Sequence, residues 1–119
     1  MIKVFLVEDE YVIREGIKKN IDWQAHGYEF CGEAGDGELA FPMIQEIRPD
    51  IVITDIRMPF MDGIELMHKI KEKYPYIKLV IISGYDDFQY AKEALIHGVL
   101  DYILKPINAR EMSEVLQKV

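Results

Sequence analysis

Apolar residues occur along the chain in short runs with few charges, separated by segments in which they recur at wider spacing. A short apolar run bounded by turn residues is typical of a strand that is buried on both faces of a sheet. An alternation of apolar and polar residues is typical of a half-exposed edge strand. The first pattern predicts strands at Ile2–Val7, Ile51–Asp55, Leu79–Ile82 and Tyr102–Leu104, and the second predicts an edge strand at Tyr28–Glu33.

The segments between these strands have the spacing of amphipathic helices, with apolar residues three and four positions apart. Residues that cap or break helices mark where several of them begin and end. Five helices are predicted: from Arg14 to about Asn20, from a cap at Asp36, from Gly63 to before Pro75, from a cap at Asp86 to Gly98, and after a cap at Asn108.

The second predicted helix contains a proline, Pro42, in the middle of its apolar stripe. Because proline has no N–H and clashes with the preceding turn, it costs roughly 3 kcal/mol inside a regular helix. We therefore expect a kink near Phe41 or a helix that begins late. The residues expected to face the core of this helix are Leu39, Ala40, Met43, Ile44 and Ile47.

The last three helices have stripes of their own, and the last stripe extends to the end of the sequence. We therefore expect the final helix to continue to the end of the chain. The residues expected to face inward are Ile64, Met67 and Ile70 in the third helix, Phe88, Ala91 and Leu95 in the fourth, and Met112, Val115, Leu116 and Val119 in the fifth.

The alternation of five strands with five helices predicts an α/β fold: a doubly wound parallel sheet covered by helices on both sides. Right-handed crossovers are expected. The strand order 2-1-3-4-5 is common for this pattern, and it makes strands 1 and 3 neighbours at the switch point where ligands bind. A chain of 119 residues suits one domain, spanning residues 1–119.

Charged and polar residues follow the predicted strands at one edge of this sheet. Glu8 and Asp9 follow the first strand, Asp55 ends the third, Ser83 follows the fourth, and Lys105 follows the fifth. Two carboxylates ~4 Å apart repel by about 4 kcal/mol at an effective dielectric of about 20. Lys105 offsets part of this repulsion, and an all-oxygen ligand set suits Mg²⁺ as a further cation.

A carboxylate beside Mg²⁺ and a lysine is suited to phosphoryl transfer, because both cations neutralise the transferring group. Asp55 can then act as a nucleophile and form an acyl phosphate. Ser83 is small and offers a donor to one phosphoryl oxygen. Each residue alone is more often a turn or a helix cap, so the hypothesis depends on their joint placement.

Composition narrows the class of protein. Half of the residues are hydrophobic and 29% are charged, which is typical of a soluble globular domain. The net charge of −7 argues against direct binding of nucleic acid by this domain. The single Cys31 excludes an internal disulfide and suggests a reducing compartment. We expect a cytoplasmic protein with no membrane span and no signal peptide.

The site residues occur in motifs that resemble the receiver domain of bacterial two-component response regulators. The motifs are Glu8-Asp9, Asp55 with Met58-Pro59 and Asp62-Gly63, Ser83-Gly84, and Tyr102 with Lys105-Pro106. The resemblance covers essentially the whole chain. It implies a flavodoxin-like fold and a sensor histidine kinase that donates a phosphoryl group to Asp55. It also implies a signalling switch that catalyses only its own phosphorylation and dephosphorylation.

The resemblance also implies a role for each matching residue. Asp55 matches the phosphoacceptor, and Lys105 matches the lysine of the phosphorylation site. Ser83 and Tyr102 match the pair that switches conformation, although an aromatic at position 102 is more commonly a plain core residue. The metal ligands would be Glu8 (usually through water), Asp9, Asp55 and the backbone carbonyl of Arg57, and the peptide bond before Pro106 would be cis.

A narrower resemblance concerns the output of the switch. Ile21-Asp22-Trp23, Thr54–Pro59 and Ser83–Phe88 are similar to receivers that precede an AraC-type helix-turn-helix domain. The expected DNA-binding domain is absent from this chain. A homodimer through the face made by the fourth helix, fifth strand and fifth helix is a further expectation.

Three other functions fit parts of the pattern. A Mg²⁺-dependent phosphatase with an aspartyl nucleophile would need a second Asp two residues later, where this chain has Arg57. A flavin-binding module would need a phosphate-binding loop after the first strand, where Glu8-Asp9-Glu10 would repel phosphate. A receiver-like domain that is never phosphorylated would act by protein contacts alone.

Overall fold

The sheet has five parallel strands in the order β2-β1-β3-β4-β5, as predicted. The computed structural model describes residues 1–84, 98–99, 101–105 and 107–118. The predicted edge strand does lie at one edge of the sheet. The strands are β1 (Ile2–Val7), β2 (Tyr28–Ala34), β3 (Ile51–Asp55), β4 (Lys78–Ser83) and β5 (Asp101–Leu104).

Four α-helices lie within the described residues, and the predicted fourth helix falls on residues outside them. They are α1 (Tyr11–Asn20), α2 (Gly37–Ile47), α3 (Gly63–Lys73) and the C-terminal helix (Ala109–Leu116), with a short 3₁₀ helix at Gln24–His26. Among these helices none is long and apolar enough to cross a membrane.

Helices cover both faces of the sheet, and each face has its own core cluster. On one face, Phe5, Val52 and Leu79 of the strands pack with side chains of α2 and α3. On the other, Leu6 and Ile53 pack with side chains of α1 and the C-terminal helix. Side chains alternate across a strand, so consecutive apolar residues supply both clusters. This is the predicted doubly wound α/β architecture.

The second helix does not begin late. Asp36 caps it by accepting a hydrogen bond from the Leu39 amide at 2.8 Å, and the helix begins at Gly37 with Pro42 inside it. Its inward face is narrower than predicted. Ala40 and Ile44 are fully buried, whereas the side chains of Leu39 and Met43 are 61% and 37% exposed. This helix has more apolar residues than the sheet and its neighbours cover, so some of them remain exposed.

Three further helix predictions need correction. α1 begins at Tyr11 rather than Arg14, since its first turn has exposed apolar residues that hide the helical pattern. In α3 the buried stripe includes Leu66, while Ile64 is only half-buried. The C-terminal helix ends at Leu116 and does not run to the end of the chain. Its predicted stripe is otherwise confirmed, with Val119 outside the described residues, and Asn108 caps it.

Candidate functional site

The carboxyl ends of β1 and β3 bring three acidic side chains together. Val7 pairs with Thr54 in the parallel register of these strands, so Glu8 and Asp55 leave the sheet side by side. One carboxylate oxygen each from Glu8, Asp9 and Asp55 lie within 4.8 Å of one another. Glu8 and Asp55 are buried and Asp9 is exposed. The predicted acidic cluster therefore forms, and one side of it is open to solvent.

Lys105 joins this cluster from the end of β5. Its Nζ donates a hydrogen bond to Oδ2 of Asp55 at 2.8 Å and lies 2.8 Å from Oε1 of Glu8. The second contact is an ion pair as short as the first, so the ammonium lies between the two buried carboxylates. One ammonium thus contacts two of the three clustered carboxylates, and the cluster keeps an excess of negative charge.

The pKa values of two of these groups reflect that excess. Burial raises the pKa of Glu8 to about 7, and the nearby acids add to the rise despite the lysine. Burial alone would lower the pKa of Lys105, but its contacts with Asp55 and Glu8 raise it to about 12. Lys105 is therefore a fixed cation, and Glu8 is held as an anion only at a cost.

A divalent cation fits this arrangement. The donors are carboxylate oxygens, which Mg²⁺ prefers, and Asp9 leaves the cluster accessible from solvent. Oε1 of Glu8 contacts the Lys105 ammonium, but a carboxylate has more acceptor sites than this one contact uses, so it can take a further partner. Glu8, Asp9 and Asp55 are the residues that would hold the ion.

The loop after β3 fixes the backbone of Asp55. The amide of Ile56 donates to Oδ1 of Asp55 at 2.7 Å, and the amide of Gly63 donates to the carbonyl of Ile56 at 2.7 Å. The chain turns back so closely that a Cβ on Gly63 would overlap the carbonyl oxygen of Asp55. Thr54 adds a bond from its hydroxyl to that same carbonyl at 2.9 Å. The acid therefore sits on a rigid backbone.

Ser83 ends β4 at the same edge of the sheet. Asp55 pairs with Ile82 in the register of β3 and β4, so Ser83 lies one residue beyond it. The side chain is fully buried, and its Oγ has no hydrogen bond within the described residues. A buried polar group without a partner costs about 1–3 kcal/mol. Such a hydroxyl is a donor available for an incoming oxygen.

The remaining predicted residues are less sharply defined by geometry. Arg57 is exposed in the loop after β3 and takes part in an interaction of its own. Tyr102 of β5 is half-buried and packs against the core cluster on the α2–α3 face. Pro106 lies outside the described residues, so its predicted cis bond is untested.

One residue of this neighbourhood escaped the sequence analysis. The Nη1 of Arg14 donates to the backbone carbonyl of Glu8 at 2.8 Å. The sequence does indicate this residue, because a cation near the start of a helix interacts unfavourably with the helix dipole. Such a cation is therefore expected to have a partner elsewhere. The first turn of α1 has no acidic residue and no side-chain cap to offset it.

A known protein family matches nearly the whole of this chain. The family described as "Response regulator receiver domain" matches residues 4–117. The chain belongs to the response regulator receiver domain family. This confirms the resemblance stated from the motifs, and the receiver domain is a module of signalling proteins.

Individual relatives agree with this assignment. The receiver domain is 39% identical over 119 residues to the transcriptional regulatory protein YesN of Bacillus subtilis, covering all of this chain and 32% of that protein. It is 40% identical to the transcriptional regulatory protein HptR of Staphylococcus aureus, covering all of this chain and 46% of that protein. The chain therefore spans less than half the length of these relatives.

A solved structure shows the same fold closely. The receiver domain of AraT, a response regulator from Geobacillus stearothermophilus, is 43% identical with a TM-score of 0.92, covering 98% of this chain and 90% of that chain. A two-component transcriptional regulator AraC from Clostridium phytofermentans is 33% identical with a TM-score of 0.86, covering 99% of this chain and 90% of that chain. These likenesses confirm the predicted topology.

Proposed function

We propose that this receiver domain is a phosphorylation-dependent switch in which Asp55 accepts a phosphoryl group from a sensor histidine kinase. The observation that carries the proposal is the position of Lys105, whose Nζ lies 2.8 Å from both Asp55 and Glu8. A structural cap or turn would not require a half-buried lysine between two buried acids. Phosphoryl transfer does require cations around the attacking oxygen.

The reaction would proceed by attack of an Asp55 carboxylate oxygen on the phosphorus of a phosphohistidine. A P–O bond forms, the P–N bond breaks, and the imidazole leaves with the electron pair of that bond. Lys105 would bind a phosphoryl oxygen as charge develops, and Ser83 would donate its hydroxyl to another; the Lys105–Asp55 hydrogen bond and the buried Ser83 hydroxyl support these roles. Mg²⁺, held by Glu8, Asp9, Asp55 and the carbonyl of Arg57, would supply further neutralisation when bound.

The test is acetyl phosphate, a small phosphoryl donor, with Mg²⁺ and the intact mass of the protein as the readout. We expect one phosphoryl group on the wild type and none on Asp55→Ala or after removal of Mg²⁺ by a chelator. Glu10→Gln is the matched control, since Glu10 is a neighbouring exposed acid that is not part of the cluster, and it should be phosphorylated like the wild type.

Other results would support other functions. A phosphoryl group retained in Asp55→Ala would contradict the proposal. Continuous release of phosphate would instead support the phosphatase, which Arg57 argues against. An unmodified wild type would favour a receiver-like domain that acts by protein contacts alone.

Phosphorylation would be transmitted through Ser83 and Tyr102. The new group adds about −1.5 to −2 of charge at Asp55, which would attract the Ser83 hydroxyl. A shift of Ser83 would free space beside the half-buried Tyr102 on the next strand, since Ile81 pairs with Tyr102 and Ser83 with Leu104. The ring could then turn inward and reshape the face around β5.

Ser83→Ala separates acceptance of the phosphoryl group from the response. We expect the variant to be phosphorylated and at least as stable as the wild type, because it removes a buried hydroxyl that has no hydrogen bond to any described residue. Its phosphorylation-dependent dimerisation should be about tenfold weaker, since a hydrogen bond to a charged group is lost. Ser83→Thr keeps the hydroxyl and should retain the response. Wild-type dimerisation of phosphorylated Ser83→Ala in sedimentation experiments would argue against this coupling.

The output would be transcription, through an AraC-type DNA-binding domain in the full-length cytoplasmic protein. Support comes from the lengths of the relatives and their names as transcriptional regulatory proteins. We propose that residues 1–119 form the receiver and that DNA is bound by the other domain. Homodimerisation through the face around β5 and the C-terminal helix would convey the signal.

A further inference from the structure

Arg14 of α1 contacts the loop that carries two of the three clustered acids. We infer that Arg14 is a positioning residue, which fixes the Glu8–Glu10 loop in the geometry that a divalent cation requires. The inference rests on the proposed function, because that function assigns Mg²⁺ binding to the Glu8–Glu10 loop.

The contacts of Arg14 lie on both sides of Asp9. The side-chain Nη1 donates to the carbonyl of Glu8 at 2.8 Å, and the backbone amide donates to the carbonyl of Glu10 at 2.9 Å. The second is the first main-chain bond of α1, which any non-proline residue at position 14 would make, so only the bond to Glu8 depends on the arginine side chain. Asp9 itself lies outside every helix and strand, so its position depends on these flanking bonds.

Several hydrogen bonds fix Glu8, and the bond to its carbonyl comes from Arg14. The Glu8 amide donates to the carbonyl of Ala34 at 3.0 Å. The Glu10 amide donates to Oε2 of Glu8 at 3.1 Å. Without Arg14, the carbonyl of Glu8 would lose this side-chain donor, and the loop would be less constrained at that point.

The other contacts of Arg14 are weaker and serve to orient it. Its Nε lies 3.4 Å from Oε1 of Glu33, and Lys18 lies 3.3 Å from Oε2 of the same carboxylate. Neither Nε of Arg14 nor Oε2 of Glu33 has a hydrogen bond within the described residues. The hydrogen bond to Glu8 is therefore the strong contact of a side chain that is only 18% exposed.

Electrostatics and positioning predict opposite effects when this cation is removed. Loss of a positive charge near an acidic cluster would by itself strengthen Mg²⁺ binding. Loss of a positioning bond would weaken it, typically by a factor of about 10 or more for an outer-shell partner of a metal site. Whether Mg²⁺ binding becomes weaker or stronger therefore distinguishes a positioning role of Arg14 from a purely electrostatic one.

The experiment measures Mg²⁺ binding by calorimetry in the wild type, Arg14→Met and Lys18→Met. We expect about tenfold weaker binding in Arg14→Met. Lys18→Met is the control, since it removes a cation from Glu33 and leaves the Glu8 carbonyl untouched, and its affinity should match the wild type or exceed it slightly. Phosphorylation of Arg14→Met by acetyl phosphate should recover at saturating Mg²⁺, which a generally damaged fold would not allow.

The outcomes separate this inference from the proposed function. A wild type that binds no Mg²⁺ and accepts no phosphoryl group overturns the proposed function. A normal wild type with unchanged or tighter Mg²⁺ binding in Arg14→Met overturns the inference alone. If Arg14→Met does not fold, Arg14→Lys replaces it. Its single ammonium cannot serve Glu8 and Glu33 as the guanidinium does, so wild-type affinity there would overturn the inference.

Discussion

Gly63→Ala is expected to destabilise the domain by more than about 3 kcal/mol, the upper end of ordinary point substitutions. The added Cβ would overlap the carbonyl oxygen of Asp55, and it would lie 3.0 Å from the carbonyl carbon of Asp55 and the Cα of Ile56. These are backbone atoms at the end of a fully buried strand, so they cannot move aside as a flexible side chain would.

Relief of the overlap would have to come from the loop between β3 and α3. The hydrogen bond from the Gly63 amide to the Ile56 carbonyl, at 2.7 Å, would be lost or stretched. The first turn of α3 would move with it, although Asp62 caps that helix through the Glu65 amide at 2.8 Å. Asp55 would then shift relative to Lys105, and phosphoryl acceptance should fall together with stability.

Gly16→Ala is the matched control for this prediction. Gly16 lies in α1, where the nearest atom to an added Cβ is the side-chain nitrogen of Asn20 at 3.9 Å. Alanine is favoured over glycine inside a helix by about 1 kcal/mol, so this variant should be slightly more stable than the wild type. Urea unfolding of both variants checks the prediction. A Gly63→Ala variant within about 1 kcal/mol of the wild type would contradict the close approach described here.

The strand order and the acidic cluster were predictable because both depend on hydrophobic runs and strand ends. Once Ile51–Asp55 is a buried parallel strand, Asp55 must emerge beside the residues that follow β1. Which side of α2 faces the core was not predictable in the same way. Leu39 and Ala40 are both apolar, and only the position of the neighbouring elements decides that Ala40 is buried and Leu39 exposed.

Loop paths were likewise beyond sequence reasoning. Gly63 looked like a helix start, and nothing local indicated that Asp55 would lie against it. Phe60 is 83% exposed with a φ of 68°, a left-handed conformation that a bulky residue rarely adopts and that no periodicity could reveal. Arg14 reaches Glu8 across six positions, so the contact depends on how the chain enters α1.

Lys105→Met is expected to affect both stability and chemistry. In the absence of metal it should cost about 3 kcal/mol, because removal of one partner leaves buried charges uncompensated. Glu8 and Asp55 are almost fully buried, and Lys105 is the cation in contact with both. Methionine keeps most of the aliphatic stem, so the loss would come from the charge rather than from packing.

The same variant should accept a phosphoryl group at least about a hundredfold more slowly, as expected when one fixed electrostatic contact to a transition state is removed. Mg²⁺ should restore part of its stability, since a bound cation replaces some of the missing charge, but it should not restore the rate. The two effects can be measured separately, by urea unfolding with and without Mg²⁺ and by the time course of modification with acetyl phosphate.

Lys118→Met provides the comparison for the lysine variant. Its Nζ lies 2.6 Å from Oδ2 of Asp101, closer than Lys105 is to either acid, but the lysine side chain is 59% exposed. Exposed ion pairs contribute less than about 1 kcal/mol, so this variant should unfold and react almost like the wild type. If Lys105→Met also unfolded and reacted almost like the wild type, the contacts of Lys105 with the buried acids would contribute no more than an exposed ion pair. The proposed role of Lys105 in phosphoryl transfer would then have to be abandoned.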